Sequence, residues 1–159
     1  MIIENFRTVI VDFVPVLDSS VYSAGDVLFD RAQLDVGNYA NPGQSAAQKI
    51  RGRVVSVGVL DKDDQGVAMD LYFLKADVSL GTVNSAPSIS DSNAEHIVGF
   101  VTATASKDLG GCRFGQADCD IRFSVTGETL YLAAVTQGTP THTATGLKFR
   151  IVLELEEGY

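Results

Sequence analysis

From Leu147 to Leu155 the chain alternates with a period of two. Leu147, Phe149, Ile151, Leu153 and Leu155 are apolar, and Lys148, Arg150, Val152 and Glu154 stand between them. Successive side chains of a β-strand point to opposite faces, so this segment has one buried face and one mostly wet face. Such a strand needs a second sheet, or a partner subunit, to cover its apolar side. It closes a longer unit, Gly127–Tyr159, that reads as two strands joined by a loop rich in Gly, Pro and Thr.

The rest of the chain supplies strands of the same kind. Phe6–Val16 is β-rich, with Val9, Val11 and Phe13 on one face. Pro15 has no N–H for a ladder, so the strand ends there or lies at an edge. Leu17–Asp26 is a connection with a Ser-Ala-Gly-Asp turn. Val27–Val36 holds a short strand, and Gly37–Ser45 is a polar loop. Lys49–Leu60 is a strong strand with Val55, Val57 and Val59 in phase. Asp61–Gly66 turns the chain and Val67–Val78 returns, which predicts a hairpin. Leu80–Ser90 is irregular. Asp91–His96 fits one helical turn capped by Ser90 or Asp91. Ile97–Thr104 is a strand and Ser106–Ala117 a Gly-rich loop. Ile121, Phe123 and Val125 point inward from the next strand, and Leu130–Val135 follows. About eight strands with little helix predict an all-β protein, an antiparallel sandwich or barrel. No stretch resembles a linker, so residues 1–159 are expected to form a single domain, with residues 1–5 as an N-terminal contact arm.

Composition excludes several roles. At 159 residues and 45% hydrophobic content the chain can bury a core. The net charge of −8 repels phosphates, so no nucleic acid partner is expected. Lys49, Arg51 and Arg53 share one strand face, read as solvated or salt-bridged. No apolar run is long enough for a membrane span, and MIIENFRTVI lacks the pattern of a signal peptide, which predicts synthesis in a cytoplasm and no membrane partner.

No catalytic apparatus is legible, and the chain is expected not to be an enzyme and to need no cofactor or metal. Asp61-Lys62-Asp63-Asp64-Gln65-Gly66 resembles the start of a calcium loop, but its fifth position is Gln65 and its twelfth is Tyr72. It reads as an acidic hairpin turn. His142 lies in Pro-Thr-His-Thr and reads as solvated; His96 ends the helical turn. Cys112 and Cys119 cannot make a four-ligand zinc site alone; they are two free thiols, or close a small disulfide across Arg113–Asp118. Gly138–Gly146 is small and polar, read as a flexible hairpin loop or a contact loop. Pro140 biases Thr139 toward extended geometry.

Four places resemble the capsid decoration, or cement, proteins of tailed bacteriophages. They are Tyr22-Ser23-Ala24-Gly25-Asp26-Val27-Leu28; the stretch Val54–Asp77, with Ala68, Asp70, Leu71 and Phe73 or Leu74; Ile97-Val98-Gly99-Phe100-Val101; and Gly127–Leu147, with Thr129-Leu130-Tyr131 and Gly138-Thr139-Pro140-Thr141. Cys112, Cys119 and the Gly37–Ser45 loop depart from the pattern. The resemblance implies a jelly-roll-like β-sandwich, a homotrimer, seated on the capsid exterior of a virion. There it would hold adjacent copies of the major capsid protein together. Interface candidates are Met1, Ile2, Ile3, Asn38, Tyr39, Asn41, Pro42, Thr139, Pro140, Thr141 and His142. The alternative reading is a β-sandwich module that binds carbohydrate or a receptor, against which the lack of Trp argues.

Overall fold

The computed structural model describes residues 6–37, 49–127 and 129–156. Nine strands lie among them: β1 (Phe6–Phe13), β2 (Val27–Asp35), β3 (Lys49–Asp61), β4 (Met69–Leu74), β5 (Ile97–Ala103), β6 (Lys107–Asp108), β7 (Arg113–Thr126), β8 (Thr129–Thr136) and β9 (Leu147–Glu156). One short helix, α1 (Asp91–Ala94), precedes β5; the Ser90 hydroxyl caps it by accepting from the Asn93 N–H. One sheet has the order β1-β9-β3-β7-β6 and the other β2-β8-β4-β5, with every neighbouring pair antiparallel. Leaving aside β6, this is the strand order of a jelly roll.

The expected β3–β4 hairpin is not formed. β3 pairs with β7 and β9, whereas β4 pairs with β5 and β8 in the opposite sheet. β8 and β9 are divided in the same way, so Gly138–Gly146 is not a hairpin loop either. The reason is general. Alternation identifies the buried face of a strand, and a face can be buried by crossing to a second sheet about 10 Å away as well as by folding back.

The core lies between the sheets. Phe149 and Phe13 stack at 5.2 Å, and Phe29 from the other sheet meets Phe149 at 5.5 Å. All five apolar residues of the Leu147–Leu155 alternation are fully buried. β3 changes phase. The register slips between Val54 and Ser56 against both neighbours, so Val54, Val57 and Val59 are buried and Val55 is only half-buried. A bulge adds one residue and reverses the alternation. β7 begins at Arg113, inside the stretch read as loop, because its inward positions there are Gly115, Ala117 and Cys119. Gly115 is required: a Cβ there would collide with the Thr104 carbonyl oxygen.

The outer faces differ. On the five-stranded sheet the outer face is open to solvent and mixed, with Arg53 2.8 Å from Glu154, Arg150 2.9 Å from Asp12, and Phe6 and Ile10 exposed at its β1 edge. Much of the outer face of the four-stranded sheet is covered, while Phe100 of β5, stacked on Tyr72, stays exposed. Val78, Leu80 and Ile89, from the segment between β4 and β5, pack on Tyr72, Leu74, Tyr131, Ala133 and Val135. Arg31 holds that segment through Asp77 at 2.7 Å, and Asp30 accepts from the Ser79 hydroxyl and the Leu80 N–H. Its residues Asn84 and Ser85 hydrogen-bond Val27, which closes one end of the β2 edge.

Candidate functional site

The register brings two crossing loops together at one end of the sandwich. Asp61 ends β3 opposite Leu147, where β9 starts, and Met69 opens β4 opposite Thr136, where β8 ends. The loop after β3 and the loop after β8 are therefore side by side.

The first of these, Asp61–Gly66, is organised by its own first carboxylate. Asp61 is buried, and it accepts from the backbone N–H groups of Asp63, Gln65 and Gly66 at 3.0, 2.9 and 2.8 Å. Asp64 and Gly66 take positive φ, at 55° and 65°. Short acidic side chains and glycine tolerate that region best, which suits this turn to an Asp-rich sequence. Asp64 also accepts from Arg113 at 2.7 Å, which ties the turn to the start of β7.

The second loop is held by the first. Asp63 Oδ2 accepts from the Thr143 N–H at 2.8 Å, and the Thr143 hydroxyl reaches Asp63 Oδ1 at 3.0 Å. Gln65 Oε1 accepts from the Thr141 N–H at 3.0 Å, and the Lys62 N–H donates to the Gly146 carbonyl at 2.8 Å. The connection before β2 grips it from the other side. The Leu17 N–H donates to Ala144 O at 2.9 Å and the Tyr22 N–H to Pro140 O at 3.0 Å. The loop is pinned rather than free, which corrects its reading as a flexible segment.

These bonds also explain two of the sequence resemblances. Tyr22 is buried; its hydroxyl accepts from the Asp18 N–H and donates to Leu28 O, and burial raises its pKa. Gly25 has a φ of 90°, and Asp26 accepts from the Ser23 N–H. The Tyr22–Leu28 motif is thus a braced turn, and it is bonded directly to the Gly138–Thr141 motif through Pro140.

The candidate residues fall into three groups. Thr139 and Thr141 are exposed on the loop surface, whereas Pro140 is buried. His142 is 3% exposed and is not solvated, a correction whose cause is the packing of the two loops around it. Its Nδ1 lies 3.4 Å from Asp63 Oδ2 and makes no hydrogen bond. Met1, Ile2, Ile3, Asn38, Tyr39, Asn41 and Pro42 lie outside the described residues, as does the Gly37–Ser45 loop beyond Gly37. Asp61 and Asp63, which the sequence presents as an acidic turn resembling the start of a calcium loop, join here with Thr143, which no sequence motif marks. The Asp-x-Asp spacing marks the first two, but Thr143 is 80 residues from Asp63 and only the fold joins them.

The cysteines are two free thiols. Cys119 sits in the middle of β7, seven residues along an extended chain from Cys112. At about 3.3 Å per residue that separation far exceeds the reach of a disulfide. The Cys119 thiol donates to Val54 O at 3.4 Å, and burial pushes its pKa up to about 11. On the strand face read as basic, Lys49 and Arg51 are exposed and Arg53 is paired with Glu154. Among the described residues no helix is long and apolar enough to cross a membrane.

No family model matches the chain, and no curated protein matches it. Among solved structures it is similar to a chain in the structure of infectious bursal disease virus, Gx strain, with 13% identity and a TM-score of 0.33 over 95% of this chain and 38% of that one. A chain in the structure of the Gt strain of the same virus gives 11% identity and a TM-score of 0.17 over 96% and 41%. The chain thus spans well under half the length of either. Likeness at this level defines neither a shared fold nor a shared role.

Proposed function

We propose that this chain is a structural protein of a virus particle. In its finer form, the proposal is a decoration protein that binds the outside of a phage head and bridges neighbouring major capsid subunits. The observation that carries it is the location of the apolar surface. Five of the eight large apolar side chains exposed among the described residues, Phe6, Ile10, Val14, Val16 and Val21, fall between residues 6 and 21. β1 lies at the edge of its sheet and has β9 as its neighbour. A groove of about 360 Å³ continues the strip, between Phe13–Val16 and Phe29–Gln33. An edge strand with exposed apolar side chains on it and on the connection that follows favours contact with another chain.

The rest of the molecule suits a scaffold without chemistry of its own. The crossing loops are braced by hydrogen bonds between them. Jelly rolls serve in viral shells, lectins and cupins, so the fold alone does not choose among roles. The four sequence resemblances favour the decoration role. A homotrimer would bind the shell through three such edges at once, turning a modest contact into a strong one.

The test mixes the purified chain with expanded, undecorated heads built from its cognate major capsid protein. Binding, with greater resistance of the heads to heat, is the expected result; absence of both would sink the proposal. Ile10→Asp and Val16→Asp are expected to abolish binding without unfolding the chain. Solution mass then assigns the strip: variants that stay trimeric yet do not bind place the shell there, and variants that dissociate place a sister copy there.

A further inference from the structure

His142 Nδ1 is a buried nitrogen, on a side chain only 2% exposed, that no hydrogen bond satisfies. Such a group is costly unless something else meets it. Its neighbours are two carboxylates. One oxygen each from Asp61 and Asp63 and one nitrogen of His142 all lie within 4.8 Å of one another. The separation of 3.4 Å between Nδ1 and Asp63 Oδ2 exceeds an ordinary N–H···O hydrogen bond, about 2.7–3.2 Å. It matches the edge of a small tetrahedron: two ligands each about 2.0–2.1 Å from a zinc ion stand about 3.3–3.4 Å apart.

We infer that Asp61, Asp63 and His142 form a binding site for one divalent transition-metal ion of the zinc class. The ion would tie the β3–β4 turn to the β8–β9 loop. The donor set selects the class. One imidazole nitrogen with two carboxylates suits zinc and its neighbours, whereas calcium takes six to eight oxygens. Calcium would need more oxygens than these two carboxylates offer, and the twelfth loop position, where calcium takes a bidentate Glu, is Tyr72 in β4. The carboxylates retain capacity. Asp61 Oδ1 accepts one hydrogen bond, from the Asp63 N–H. Asp63 Oδ2 accepts from the Thr143 N–H at 2.8 Å and more weakly from its hydroxyl at 3.2 Å. That hydroxyl keeps its 3.0 Å bond to Oδ1 when Oδ2 turns to a metal. The backbone donors around both carboxylates then act as the outer shell that orients metal ligands.

The experiment uses the untagged full chain after chelator treatment, titrated with Zn2+, Co2+, Ca2+ and Mg2+ at neutral pH. Calorimetry is expected to find one Zn2+ per chain, and the thermal midpoint to rise with Zn2+. Co2+ is expected to show the visible absorption of a tetrahedral site. His142→Gln should weaken Zn2+ binding by at least about tenfold. The double variant Cys112→Ser/Cys119→Ser should leave it unchanged. Circular dichroism of the metal-free variants checks their folding; should His142→Gln not fold, the near-isosteric Asp63→Asn carries the same test. Zn2+ binding weaker than about 1 mM, binding undiminished in His142→Gln and Asp63→Asn, or a preference for Ca2+ would each overturn the inference. So would a midpoint that responds to none of these metals.

Discussion

The two sheets bury the same inner face and treat the outer face in opposite ways. In the five-stranded sheet the outer face is wet, and β9 alternates from Leu147 to Glu156 with every inward residue buried. In the four-stranded sheet the segment between β4 and β5 lies across the outer face, and β8 is buried or half-buried throughout. Leu130, Leu132 and Ala134 face the core, while Tyr131, Ala133 and Val135 lie beneath the segment. A strand covered on both faces loses the period-two signal that a strand with one wet face displays. The covered sheet also has part of its outer edge closed, at Val27, whereas β1 ends the open sheet with apolar side chains exposed.

The largest expected effect breaks what the two sheets share. Phe149→Ala removes a ring packed on Phe13 and Phe29 and should cost about 3–5 kcal/mol by urea denaturation. Hydrogen exchange should rise throughout both sheets. Leu80→Ala acts on the covered face alone. It should cost about 2–3 kcal/mol, with exchange rising first at residues 75–90 and the β2 edge. A uniform rise there would mean that the covering segment and the core unfold as one unit, and the contrast would lose its energetic meaning.

Two smaller effects sharpen the comparison. Asp12 on the open sheet and Asp77 on the covering segment are held below the usual carboxylate range, chiefly by hydrogen bonds from Arg150 and Arg31. A carboxylate whose folded pKa is depressed stabilises the fold above its unfolded value, about 3.9, and the gain is lost as pH falls through the folded value. Both pairs are exposed, so their contributions are small. The stability difference between wild type and Asp77→Asn should be constant above about pH 5 and should shrink below about pH 4. A difference that grew in acid would contradict the pairing. The smallest effect is expected at Val152, half-buried on the outer face of β9. Val152→Thr should change stability by no more than about 0.5 kcal/mol, and a cost near that of Leu80→Ala would show that the open face is covered after all.

The candidate site was legible only in part. Asp61 and Asp63 stand out by spacing, and the turn they form follows from local hydrogen bonds that Asp favours. His142 was misread because its neighbours in sequence are small and polar. Its burial comes from the Asp61–Gly66 turn opposite, whose Asp63 holds the neighbouring Thr143 across 80 residues of sequence. The Tyr22–Leu28 motif was visible as a pattern, but its meaning as a brace for Pro140 required the fold.

Local order was set by the chain alone. Period-two alternation in β1, β7 and β9, the Ser90 cap of α1 and the Gly25 turn all depend on a residue and its near neighbours. Strand partnership was decided only by the tertiary structure. A strand meets its apolar need by pairing beside its predecessor or by facing it across a core, and the two are equivalent in alternation. The bulge at Val55, the crossing of β3 to β4 and β8 to β9, and the burial of His142 are the places where long-range packing chose between them.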